Sequence, residues 1–251
     1  MLDATSDDDR PITGAVRLVR DLLDFLLPLR CAGCDREPPS ERGFCGGCEQ
    51  GLAEASSPRC STCGEPFAHA GRDHPCLRCV REPPPFRMAR APLIYGGPLA
   101  DAIRRMKYAN RPDLAGSLAP LLADEARALP EVDVVVPVPL AWRKLFSRGY
   151  NQSALLARSV AQGLRLPMDT GVLRRIGDAG PLAGRARTAR REAVRGAFVV
   201  RHPERVRGKR ILLVDDVLTT GATAAAASRV LCRAGARSVV VLTLARTGEP
   251  R

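Results

Sequence analysis

Ile211-Leu212-Leu213-Val214-Asp215-Asp216-Val217-Leu218-Thr219-Thr220-Gly221-Ala222-Thr223 decides the fold class of this chain. Four apolar residues read as a buried strand, two adjacent acids as its end, and a small hydroxyl-rich turn leads into the helix-favouring run Ala224 to Ala234. Strand, tight turn and helix start, in that order, make a cradle for an anion. Successive strand side chains point to opposite sides, so Asp215 and Asp216 cannot share one apolar layer, and an unpaired buried carboxylate is costly. A cationic or hydroxylated partner is predicted for them.

The turn supplies the complementary chemistry. Gly221 permits close backbone approach, Thr219, Thr220 and Thr223 offer hydroxyls, and the amides from Ala222 onward give a phosphate dianion the positive end of a helix. Asp215 and Asp216 are then placed to accept hydrogen bonds from vicinal ribose hydroxyls, directly or beside Mg²⁺. The plainer alternative is a strand ending in a turn whose Asp and Thr residues merely cap a helix.

Working outward, Pro92–Tyr95, Val132–Val138, Ala197–Val200, Arg210–Asp215 and Ser238–Leu244 read as strands. Leu99–Tyr108, Leu114–Leu129, Gln152–Gly163 with Asn151 as N-cap, and Ala222–Ala234 read as helices. Alternation of the two predicts an α/β domain with a doubly wound, mostly parallel sheet whose ligand lies beyond the carboxyl ends of the strands. By that rule the loop after Pro137–Pro139 shares the crevice with Asp215 and Asp216. Arg143, Lys144, Arg148, Gly149, Asn151 and Gln152 follow in a cationic, glycine-containing loop suited to a pyrophosphate, or to nothing beyond a basic surface.

Eight of the nine cysteines form four Cys-x-x-Cys pairs: Cys31/Cys34, Cys45/Cys48, Cys60/Cys63 and Cys76/Cys79. The first and second pairs recur 29 and 31 residues later as the third and fourth. Two pairs complete an all-thiolate tetrahedral shell, so one or two structural zinc ions are expected. Cys232, in the apolar pattern of the last helix, reads as a core residue. Residues 1–30 then hold an acidic tail and an amphipathic helix, 31–80 the cysteine module and 86–251 the α/β domain, with Pro83–Pro85 as connector.

The best apolar stretch, Val16 to Leu29, is broken by Arg17, Arg20, Asp21 and Asp24, and acids replace the basic start of an export signal. No membrane span and a cytoplasmic location are expected. The formal charge is +12, and residues 174–210 carry twelve Lys or Arg against three acids. Such a surface attracts polyanions, single-stranded DNA among them, although 36 of the 39 cations are Arg and a general bias would write exposed cations that way.

The 211–223 segment resembles the phosphoribosyl-pyrophosphate signature of type I phosphoribosyltransferases. Together with the four cysteine pairs, Lys107-Tyr108, Val136-Pro137-Val138-Pro139-Leu140, Arg148-Gly149-Tyr150-Asn151-Gln152, Val194-Arg195-Gly196-Ala197-Phe198 and Leu244-Ala245-Arg246, it resembles the bacterial ComF family. That resemblance implies a double zinc ribbon fused to a phosphoribosyltransferase-like domain and a link to DNA uptake in natural transformation. It implies that Asp215 and Asp216 hold the ribose, and Thr219, Thr220, Gly221, Ala222 and Thr223 the 5′-phosphate. One departure stands out: Pro181-Leu182-Ala183-Gly184-Arg185-Ala186-Arg187 replaces a Gln and a Leu-Ser-Arg-like stretch. Two activities fit. One is transfer of ribose 5-phosphate from phosphoribosyl pyrophosphate with Mg²⁺, Asp215 and Asp216 orienting the sugar. The other is a non-catalytic single-stranded DNA-binding component that works with the DNA-uptake machinery.

Overall fold

A computed structural model describes residues 30–36, 38–40, 43–176 and 196–248. The acidic tail, the amphipathic helix before Pro28, the Pro181–Arg187 stretch and much of the basic region lie outside them. Along the described chain run α1 (Gly46–Gln50), α2 (Leu77–Arg81), β1 (Met88–Arg90), β2 (Leu93–Ile94), α3 (Gly97–Tyr108), α4 (Leu114–Arg127), β3 (Val134–Pro137) and α5 (Trp142–Arg148). Then come α6 (Gln152–Leu164), β4 (Leu173–Arg175), β5 (Phe198–Val200), β6 (Arg210–Leu218), α7 (Ala222–Arg233) and β7 (Ser238–Arg246).

The sheet is parallel, in the order β1-β7-β6-β3, with β2 also on β7. Its central strands are near-continuous apolar runs because both faces are covered. On one face Leu212, Val214, Val240 and Leu242 pack among residues of α3, α4 and α6; on the other Ile211, Leu213, Val239 and Val241 pack against α7 and Phe198 of β5. The two-stranded antiparallel pair β4-β5 stands apart from the main sheet.

Four readings are corrected. β6 continues three residues beyond Asp215, because β7 reaches Arg246 and keeps pairing through Val217 with Ala245 and Leu218 with Arg246. Residues 142–148 are helix α5 and not a loop, with Gly149 at φ +79° closing it. Met88–Arg90 forms an edge strand that was not expected. Cys232 is exposed, since α7 buries Ala224, Ala226, Ala227, Ser228 and Leu231, and its thiol donates instead to the Pro85 carbonyl at 3.4 Å.

The cysteine module is not a loose appendage. Cys31, Ala32, Phe44 and Cys45 belong to the same apolar core as Leu99, Ile103 and Met106 of α3. Arg105 of α3 donates to the carbonyls of Ala32 and Gly33, and Arg246 at the end of β7 donates to the Cys63 carbonyl at 2.6 Å. Arg246 also pairs with Glu65 and is only 1% exposed.

Candidate functional site

The acids meet the partners their burial demands. Asp216, 5% exposed, accepts from Lys107 Nζ at 2.9 Å on Oδ1 and from Gln152 Nε2 at 2.6 Å on Oδ2. Asp215 is half-buried, and its Oδ1 accepts from the Ser153 hydroxyl at 2.8 Å and from the Asp216 amide at 2.9 Å. Among the described residues Oδ2 of Asp215 has no hydrogen-bond partner. Alternation along β6 thus separates the pair: one acid is anchored by side chains on two helices, while the other is held through a single oxygen.

Electrostatics differ accordingly. Burial, with the Asp216 charge behind it, pushes the Asp215 carboxyl up to about 7 against the pull of the Ser153 hydroxyl. Burial disfavours the Lys107 ammonium, but the Asp216 carboxylate more than offsets that, and the Lys107 pKa rises.

The turn after β6 is tight. Gly221 sits at φ +76°, a conformation that suits glycine, and the Thr220 hydroxyl accepts from the Ala222 amide at 3.3 Å. Thr219 is exposed and Thr223 half-buried. The 12-residue helix α7 begins here, so its first-turn amides lack helical acceptors. A cavity of about 190 Å³ opens against Thr220, Gly221 and Ala222, with Arg78, Arg229 and Arg246 on its other walls. This cavity is lined from the cysteine-module side and not by Asp215 or Asp216.

The remaining sequence-selected residues are dispersed. Arg143 and Lys144 are exposed on α5. Arg148 turns inward, donating to Gln152 Oε1 at 2.5 Å with its guanidinium 5.4 Å over the Tyr108 ring. Asn151 caps α6, its side chain accepting from the Ser153 amide at 3.1 Å and donating to the Val138 carbonyl at 3.0 Å. Lys107 and Ser153 were not assigned to the site from sequence, and Gln152 was read only as part of the loop expected to hold a pyrophosphate. A chain with only three Lys among its 39 cations carries a signal in Lys107, since a compact ammonium suits a narrow buried site.

The cysteines gather as two tetrads, Cys31/Cys34/Cys45/Cys48 and Cys60/Cys63/Cys76/Cys79, each with its sulfurs within 4.8 Å of one another. Cys34 and Cys45 sulfurs are 3.8 Å apart, as are those of Cys63 and Cys76. Tetrahedral zinc with bonds of about 2.3 Å places its sulfurs about 3.8 Å apart, so the donor set fits. Both halves share a second feature. The first cysteine accepts two backbone amides, Cys31 from Cys34 and Cys45, Cys60 from Cys63 and Cys76, which favours the thiolate. The hydrogen bond from Cys63, with these amides and against burial, brings Cys60 down to about 3. No helix among the described residues is long and apolar enough to cross a membrane.

Family models match twice: a double zinc ribbon domain over residues 22–80 and a phosphoribosyl transferase domain over residues 151–251. Among curated relatives, the DNA utilization protein YhgH of Salmonella typhi is 33% identical over 83% of this chain and 92% of its own. Competence protein F of Haemophilus influenzae is 28% identical over 82% and 92%, and competence protein ComFC of Bacillus subtilis 27% over 83% and 86%. With two zinc-fitting cysteine tetrads ahead of a phosphoribosyltransferase-type sheet, and that likeness along nearly the whole length of its relatives, the chain belongs to the ComF family.

Proposed function

We propose that the crevice binds phosphoribosyl pyrophosphate or a related ribose 5-phosphate, with Mg²⁺, in a protein that serves DNA uptake or utilization. The observation that carries this reading is the division of labour on β6: Asp216 is locked by Lys107 and Gln152, while Asp215 keeps Oδ2 for a ribose hydroxyl. The Thr219–Thr223 nest takes the 5′-phosphate through first-turn amides and hydroxyls. Mg²⁺ would come with the pyrophosphate and neutralise its oxygens beside Asp215, whose carboxylate is a hard oxygen donor. Arg143 and Lys144 add positive field at the crevice edge, and Arg148 holds Gln152 on Asp216. The relatives named DNA utilization protein and competence protein support a setting in DNA uptake or utilization, and a cytoplasmic site of action alongside the uptake machinery is part of the proposal.

The test is calorimetric titration of zinc-loaded protein with phosphoribosyl pyrophosphate, with and without Mg²⁺. Binding that strengthens with Mg²⁺, and drops at least tenfold in Asp215→Asn with the fold intact, is expected. No heat at millimolar ligand, or an Asp215→Asn protein that binds as wild type, overturns the reading.

A further inference from the structure

Helix α5 has no buried residue. Its apolar side chains fall at Trp142, Leu145 and Phe146, the spacing of a single helix face, yet that face covers no core. Trp142 is 70% exposed and Phe146 78%, their ring centroids 5.4 Å apart at 46°. Tyr108, itself 80% exposed, stands at the end of α3 beneath the Arg148 guanidinium. Four of the seven large apolar side chains exposed among the described residues thus gather at α5.

Cations accompany them. Arg143, Lys144 and Arg148 share the seven residues of the helix. Flat rings open to solvent and flanked by positive charge match one occupant well: single-stranded nucleic acid, whose bases stack on any aromatic face while phosphates meet the cations. A second copy of this chain would bring the same three cations to its twin, and like charges facing each other oppose docking. We infer that the α5 face, with Trp142 and Phe146 as stacking platforms and Arg143, Lys144 and the Arg148–Tyr108 pair beside them, docks single-stranded nucleic acid. This rests on the DNA-handling part of the proposed function, and its stacking residues Trp142 and Phe146 take no part in the sugar-phosphate pocket. The face is wired to that pocket all the same, since Arg148 donates to Gln152 and Gln152 to Asp216.

Trp142 is the only tryptophan of the chain, so its fluorescence reports on this face directly. Zinc-loaded full-length protein is titrated at low salt with an oligothymidylate of about 16 nucleotides, long enough to span one binding site. Saturable quenching is expected. Phe146→Ala should weaken binding roughly fivefold or more by the same signal, and Trp142→Ala likewise by anisotropy of a labelled oligonucleotide. Both variants should keep the wild-type circular dichroism spectrum and phosphoribosyl pyrophosphate affinity. Binding that leaves Trp142 emission unchanged and is untouched by either substitution overturns the inference. So does an emission change produced only by phosphatidylglycerol vesicles, or only by raising protein concentration with dimer appearing in sedimentation. Quenching without sugar-phosphate binding sinks the pocket alone; the converse sinks the platform alone.

Discussion

Lys107→Met removes the ammonium that faces Asp216 while keeping most of the side-chain volume. The two groups meet at 2.9 Å, with side-chain exposures of 21% and 7%. At an effective dielectric near 20 the gross attraction is about 6 kcal/mol. Two terms reduce the net loss: the variant no longer bears the cost of dehydrating the ammonium, and Gln152 still donates to Oδ2 of Asp216. Breaking a fully buried pair costs about 3–5 kcal/mol, so the partly exposed Lys107 should be worth about 2–3 kcal/mol. The assay is urea unfolding at neutral pH with zinc present, followed by far-ultraviolet circular dichroism, because exposed Trp142 is a poor reporter of the core. Adding Asp216→Asn should recover part of the loss, since the neutral amide needs no cation. A loss below about 0.5 kcal/mol in the single variant, or strict additivity in the double, refutes the claim that Lys107 neutralises a buried charge.

Three further expectations follow from separate parts of the molecule. Metal analysis should find two zinc ions per chain, and Cys76→Ser should leave one, because the tetrads share no ligand. Gly64 sits at φ +71°, and a β-carbon there would lie 2.8 Å from the Ala89 carbonyl oxygen, so Gly64→Ala should speed hydrogen exchange in residues 60–79 and cost at least 1–2 kcal/mol, roughly the penalty of the left-handed conformation alone. Asp133 is held down to about 2 by the Arg210 side chain, aided by the Arg210 amide. A depressed folded-state pKa means its contribution is complete above about pH 4 and is lost as pH falls toward 2. The stability gap between wild type and Asp133→Asn should therefore close across that window, and a gap that stays constant rejects the linkage.

The fold was legible where physics is local. Ile211–Val214 had no polar residue to interrupt a doubly covered strand, and the turn through Gly221 has one chemistry for one conformation. The tetrads were legible because each Cys-x-x-Cys pair carries its own geometry and the pairs repeat. What escaped was long-range or unburied. Lys107 lies 109 residues from Asp216, and Ser153 62 residues from Asp215, so only the need for a partner could be read, not its identity. Helix α5 was hidden by the basic residues around Gly149, which read as a phosphate loop although Trp142, Leu145 and Phe146 keep helical spacing. The end of β6 depends on how far β7 extends beside it, which no window around residues 211–223 contains.

The shared core of Cys31, Ala32, Phe44 and Cys45 with Leu99, Ile103 and Met106 has a consequence for how far the two halves can be separated. Cutting at the three prolines to obtain a free-standing α/β half would strip α3 of its covering and leave a greasy flank. Lys107, which grips Asp216, sits two positions from Arg105, the anchor to the Ala32 and Gly33 carbonyls beside the first tetrad. Loss of metal from the first tetrad should therefore loosen the helix that carries Lys107, so that zinc-free protein is expected to lose order at the crevice as well as at the cysteines.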